Sequence, residues 1–128
     1  MSTKAAVVVY EGTCSGNEVS LFDCNNGRFK ASACQRSSFA GVICHTRKCI
    51  HVLCCTRYLI SIHPGAICTD NDVRLAGSDK ASQGRVEICL YGVWGSVCDD
   101  SWSDVNSRVV CQQLGYERNG NLRTLHTI

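Results

Sequence analysis

Eleven cysteines in a chain of 128 residues constrain its fold more than any other feature of the sequence. A proportion this high is typical of small extracellular modules, in which disulfide bonds supply stability that a small core does not. In the reducing cytosol, the same thiols would be expected to bind metal or to stay idle. Because the number is odd, at least one thiol lacks a partner within the chain.

The overall charge and the first residues narrow the class of protein further. The formal net charge is +2, and no basic run is interleaved with aromatic residues, so nucleic-acid binding is not expected. The apolar run Ala5–Tyr10 is too short for a secretory signal, and Glu11 follows it at once. We therefore interpret the chain as a piece of a larger secreted or membrane-anchored protein.

The stretch Gly84–Gly115 predicts a strand, a turn, a second strand, an acidic loop and a helix. Arg85–Leu90 alternates between polar and apolar residues, which is typical of a half-buried strand. A Tyr-Gly pair supplies the turn, and Val93–Cys98 is rich in residues that favour strands. We predict that Trp94, in this return strand, belongs to the core. Ser103 is the expected N-cap of the helix.

Two parts of the sequence resemble one family. The segment WGSVCDDSW followed by RVVCQQLGY, within Val73–Tyr116, closely resembles the first half of a scavenger receptor cysteine-rich domain. The segment CSGNEVSLFDC and the later AGVIC, within Val7–Cys44, resemble the second half of such a domain. The halves stand in reverse order along the chain. Two further positions of the eight-cysteine subgroup are not cysteine here, which fits the six-cysteine subgroup.

The resemblance implies an α+β fold, a small disulfide-rich domain in which a curved antiparallel sheet cradles one α-helix, present here as two half-domains. Residues 1–45 would be a C-terminal half, 46–69 an atypical cysteine-rich linker and 70–128 an N-terminal half. One interpretation, favoured for the origin of the chain, is a window across two tandem domains. The other is that the halves complement each other as one circularly permuted domain, because domain termini often lie close together.

The resemblance also implies a set of disulfide bonds. Its pairing gives one local bond, and, if the halves complement each other, two bonds that join them. The tandem interpretation makes no such joining bonds within one domain. The implied pairs are Cys14–Cys24, Cys34–Cys98 and Cys44–Cys111, and the sequence leaves the partners of Cys49, Cys54, Cys55, Cys68 and Cys89 open.

Residues 46–69 have no counterpart in the family. A zinc site is one interpretation, because the ligand types are right, but no CxxC pair with matching spacing is present. A membrane span is another, but Ile50–Ile62 is shorter than the roughly 20 apolar residues that a span needs. We favour an unusual linker or insertion. Because Gly65–Cys68 echoes Gly41–Cys44, either copy could be the closing strand. The candidate zinc ligands are Cys44, Cys49, Cys54, Cys55, His45, His51 and His63.

Two sets of charged residues are candidate binding sites. Members of the resembled family bring together two aspartates and a glutamate to hold Ca²⁺, whose preferred ligands are carboxylate oxygens. Alternatively, the two aspartates cap the helix and face solvent. A basic loop between Cys24 and Cys34 fits polyanionic ligands, although three spread charges are also typical of a solvated surface. The acidic set is Asp99, Asp100 and Glu18, and the basic set is Arg28, Lys30 and Arg36.

The sequence contains no arrangement of residues that predicts catalysis, and a GxSxG motif is absent. We expect an extracellular scavenger-receptor-like binding module, secreted or in a membrane protein's ectodomain, that recognises polyanionic or protein ligands with Ca²⁺ as a candidate cofactor. It would meet a membrane only through other parts of its parent protein. The alternative is a non-catalytic structural or adhesion spacer, and a more distant one is a zinc-dependent intracellular protein.

Overall fold

The structure is a computed structural model that describes residues 6–31, 34, 38–45, 68–116 and 122–127. Arg36 and residues 46–67 lie outside the described residues, and with them five of the predicted zinc ligands, Cys49, His51, Cys54, Cys55 and His63. Nowhere in the described ranges does a helix have the length and apolar character needed to cross a membrane. The elements are β1 (Ala6–Tyr10), a short 3₁₀ helix (Leu21–Asp23), β2 (Phe29–Ala31), β3 (Phe39–Cys44), β4 (Val73–Ala76), β5 (Gln83–Leu90), β6 (Val93–Val97), α1 (Asp104–Gln113) and β7 (Leu122–Thr127).

The described strands form one sheet, with the order β2-β1-β6-β5-β3-β7 and with β4 paired to β5 beside this path. The predicted fold class is confirmed, because a small disulfide-rich sheet packs against one α-helix. The sheet is mixed rather than purely antiparallel. Within the described residues, β1 and β6 run parallel, and the other strand pairs are antiparallel.

Strands from the two halves of the chain are interleaved within this sheet. The first half supplies β1, β2 and β3, and the second half supplies the other strands and α1. Strand β1 pairs with β6, and β3 pairs with both β5 and β7. In this chain the two halves therefore complete one sheet together. The origin of residues 1–45, 46–69 and 70–128 as pieces of neighbouring domains stays a prediction.

The β5–β6 hairpin and α1 form where the sequence predicts them. Tyr91 and Gly92 have φ values of 53° and 77°, which suit the tight turn of a hairpin. The Ser103 side chain accepts a hydrogen bond from the Asn106 N–H and so caps the helix. Gly115, with φ of 96°, follows the helix end in the left-handed region that favours glycine. These features form because their signals are local in the sequence.

Gly84 allows β5 to pair with two neighbouring strands, β3 and β4. Its φ is 148°, and a Cβ at this position would lie 2.4 Å from the Ala76 carbonyl oxygen. The absence of a side chain lets β4 approach β5 closely at the point where β5 also begins to pair with β3. Any larger residue would push these strands apart.

The core lies between one face of the sheet and α1. Trp102, which is 8% exposed, belongs to it. The prediction that Trp94 belongs to the core is wrong. Trp94 pairs with Cys89, so it shares the face of β5 that points away from Ile88 and the core. Other core residues are Val8, Tyr10, Leu21, Val42, Val86, Val97, Val109 and Val110.

Candidate functional site

Four disulfide bonds hold the described part of the chain together. The first is local and spans ten residues, whereas the next two join the halves across 64 and 67 residues. These three are the pairs that the family resemblance implies. The fourth has no counterpart in that pattern. The bonds are Cys14–Cys24, Cys34–Cys98, Cys44–Cys111 and Cys68–Cys89.

The Cys68–Cys89 bond ties the start of the second half to β5. Cys89 is fully buried on the face of β5 opposite the core. Its N–H donates to the Asp72 carbonyl over 2.9 Å, and its own carbonyl accepts from the Asn71 N–H over 3.1 Å. Sequence reasoning left both cysteines without a partner. The one available signal was a cysteine on the polar face of a strand, where an exposed thiol is uncommon.

Asp99 is buried at the end of β6 and accepts hydrogen bonds from two elements. Its Oδ2 lies 2.6 Å from Ser38 Oγ and 2.7 Å from His126 Nδ1. The Asp99 N–H also donates to the Ser38 carbonyl over 3.1 Å. The carboxylate therefore joins the loop after β6 to the residue before β3 and to β7. The sequence analysis did not single out Ser38 or His126, because they lie far from Asp99 along the chain.

The Glu18 side chain closes a short local loop by accepting hydrogen bonds from Ser15 and Gly16. Its carboxylate accepts from the Ser15 and Gly16 N–H groups and from Ser15 Oγ. The hydrogen bond from the Ser15 N–H is the main cause that holds the pKa of Glu18 below its usual value. These donors give the carboxylate a local structural role between β1 and the 3₁₀ helix.

The predicted calcium ligands do not form one set in this structure. Among the described residues, Asp99 and Asp100 have ligand atoms within 4.8 Å of each other and of two cysteine sulfurs. Glu18 instead groups with Cys14 and Cys24. The cysteines of both groups are in disulfides, so they offer no thiolate to a metal. In this structure the three carboxylates are therefore divided between two groups.

Two members of the basic set, Arg28 and Lys30, lie at the edge strand β2. Arg28 Nε is 2.8 Å from Glu11 Oε2, and Lys30 Nζ is 3.2 Å from Glu11 Oε1. The hydrogen bonds from Arg28 and then Lys30 lower the pKa of Glu11. The two cationic side chains are 75% and 62% exposed. Two exposed cations share one carboxylate, which leaves an excess positive charge at this edge.

A second charged cluster lies on the outer face of β4, β5 and β6. The Glu87 carboxylate accepts from Arg74 Nε over 2.7 Å and from Arg85 over 2.8 Å. Burial raises the pKa of Glu87, but the hydrogen bonds and charges of the two arginines outweigh it and lower the pKa overall. The Arg74 guanidinium also lies 4.2 Å from the centroid of the Trp94 ring.

Polar side chains from α1 and β1 fix the loop around the 3₁₀ helix. Gln113 accepts from the Leu21 N–H over 3.1 Å and donates to the Asn71 carbonyl over 3.0 Å, so one side chain joins both halves. The Tyr10 hydroxyl donates to the Leu21 carbonyl. Burial, with a smaller contribution from Glu18, raises the pKa of Tyr10 to about 12, which keeps this hydroxyl a donor at neutral pH.

The sheet, the single described α-helix and the four disulfides define a small disulfide-stabilised module. Residues 76–127 match the family model for the Scavenger receptor cysteine-rich domain. The human protein CD5 antigen-like is 34% identical over 104 residues, which cover 80% of this chain and 23% of that relative. No solved structure gives a significant match. The chain belongs to the scavenger receptor cysteine-rich family.

Family membership supports an extracellular receptor-type module. The chain spans less than a quarter of the length of its human relative, with 23% of that protein covered. Assignment to the six-cysteine subgroup stays a prediction.

Proposed function

We propose that the chain is a non-catalytic, extracellular ligand-binding module of a larger secreted or membrane-anchored protein, and that it binds anionic ligands at the edge strand β2. The observation that carries this proposal is the pair of exposed cations, Arg28 and Lys30, around the single carboxylate of Glu11. Resemblance to a receptor-type family and to CD5 antigen-like supports a binding role. Arg36, two residues after Cys34, remains part of the proposed ligand-binding set.

The neighbouring residues make this edge a firm surface for a ligand. The Phe29 ring lies between the rings of Tyr10 and Phe22, with centroid distances of 4.9 and 5.5 Å. Because side chains alternate along a strand, this anchoring directs Lys30 to the opposite face. A guanidinium beside an ammonium group suits sulfate and carboxylate groups, since charged hydrogen bonds are stronger than neutral ones. The edge therefore presents two exposed positive charges beside an anchored aromatic ring.

Replacing both Arg28 and Lys30 by glutamine is expected to weaken binding to heparin, used as the anionic probe, by about tenfold, or ~1.4 kcal/mol. Glu11→Gln should have the opposite effect, because it removes the carboxylate that neutralises one of the two cations. Isothermal titration calorimetry at several salt concentrations measures both effects, and the affinity of the wild type should fall as salt rises.

The matched control removes two positive charges elsewhere, by Lys80→Gln with Arg123→Gln, both at exposed positions. It should retain most of the affinity. An equal loss in the control would mean that net charge, and not the β2 edge, drives binding. If the folded wild type does not bind heparin at all, the proposal fails, and the structural spacer becomes the better interpretation.

A further inference from the structure

We propose that Asp99, Ser38 and His126 form a hydrogen-bonded latch at the place where the family resemblance implies a calcium ion, so that this module folds and stays closed without calcium. The latch joins the loop after β6, the residue before β3 and the edge strand β7. The proposal concerns the protein without ligand and does not depend on the anion-binding function.

One oxygen of the Asp99 carboxylate, Oδ2, already accepts two hydrogen bonds. Ser38 Oγ and His126 Nδ1 both lie within 2.7 Å of Asp99 Oδ2. A carboxylate oxygen only accepts hydrogen bonds, so the hydroxyl and the ring nitrogen are the donors. Their hydrogens occupy the side of the oxygen that a cation would need to approach. A calcium ion would therefore have to break two short charge-assisted bonds before it could bind this oxygen.

The pairing of the strands brings the three latch residues together. An isolated bridge pairs Phe39 with Cys98, so Ser38 and Asp99 lie directly beside this bridge. His126 pairs with Ala40 in the β3–β7 ladder. The side chain of Asp99 is only 3% exposed, whereas that of His126 is 61% exposed. The latch thus connects the edge strand β7 to the buried carboxylate of Asp99.

The third predicted calcium ligand, Glu18, is held in a hydrogen-bonded loop of its own. Calcium takes about six to eight oxygen ligands, and the predicted set drew one of its carboxylates from Glu18. Glu18 accepts hydrogen bonds from Ser15 and Gly16 and lies in a different group of potential ligands from Asp99 and Asp100. Assembling the three carboxylates within 4.8 Å of one another would therefore require the loop that carries Glu18 to move.

The test measures melting temperature by circular dichroism, in calcium and in chelator, for the oxidised wild type and its variants. The wild type should melt within about 1 °C in both buffers, because a ligand raises the melting temperature only by binding the folded state. Asp99→Asn should lower the melting temperature by about 4 °C or more in both buffers, through weakened charged hydrogen bonds. Asp79→Asn, at an exposed turn position, is the matched control and should have no such effect.

His126→Ala separates the latch from a general loss of structure, because it removes an exposed ring and should leave a folded protein. Asp99→Asn combined with His126→Ala should cost less than the sum of the two single losses, since Asp99→Asn weakens the same bond that His126→Ala removes. Additive losses would overturn the latch. So would a calcium-dependent rise in the melting temperature of the wild type that Asp99→Asn abolishes. If Asp99→Asn does not fold, Ser38→Ala and His126→Ala are measured singly, and each should lower the melting temperature more than Asp79→Asn does.

Discussion

Replacing Cys44 and Cys111 together by alanine is expected to lower the free energy of unfolding by about 4 kcal/mol. The bond between them closes a loop across 67 residues, and the chain-entropy model gives a larger stabilisation for a longer loop. Total stabilities of small domains are only about 5–15 kcal/mol, so this loss is a large part of the whole. Urea unfolding followed by far-ultraviolet circular dichroism, without reductant, measures the change.

The matched control removes the local bond by Cys14→Ala with Cys24→Ala. Its cysteines are only 10 residues apart, so the same model gives about 3 kcal/mol. The loss for Cys44–Cys111 should be the larger of the two, because that bond joins the two halves of the chain and the Cys14–Cys24 bond is local. A loss at Cys44–Cys111 that is no larger than the loss at Cys14–Cys24 would contradict the idea that this bond holds the two halves together.

Trp102→Ala is expected to cost about 3–5 kcal/mol, because it leaves a large cavity in the core. The indole packs at 65° against Tyr10, with the ring centroids 5.9 Å apart. Its Nε1–H donates to Ser107 Oγ over 2.9 Å, and Ser107 Oγ lies 2.7 Å from Thr124 Oγ1. The substitution therefore also disturbs the contact between α1 and β7. Urea unfolding by circular dichroism is suitable because it does not depend on tryptophan fluorescence.

Trp94→Ala is the control with the same change in side chain. Trp94 is partly exposed and stacks with Arg74, so we expect a loss of about 1–2 kcal/mol from the cation–π contact and partial burial. If Trp94→Ala proved more costly than Trp102→Ala, the assignment of the two faces of β6 would be wrong.

Local signals predicted the hairpin and the helix. The alternation in Arg85–Leu90, the turn at Tyr91 and the N-cap at Ser103 each depend on residues only a few positions apart. The face of Trp94 was missed for a related reason. A short strand with a glycine and a serine does not show which of its faces is buried, and the register with β5 decides it.

These local signals could not predict contacts between residues that lie far apart in the sequence. The residues of β7 are mostly polar, yet they form a strand because all six pair with β3. The parallel pairing of β1 with β6 and the bond between Cys68 and Cys89 likewise depend on how the halves meet. In the candidate cation site, the sequence supplied the carboxylates but not the donors. Ser38 and His126 reach Asp99 only after β3, β6 and β7 come together.

The central claim is that the two halves of this chain close on each other as one domain. Peptide mapping without reduction, on the monomeric fraction from size-exclusion chromatography, tests it most directly. The claim predicts that peptides containing Cys34 and Cys98 are recovered linked to each other, as are peptides containing Cys44 and Cys111. Recovery of these four cysteines in the folded monomer linked only within their own halves, or unpaired, would contradict it.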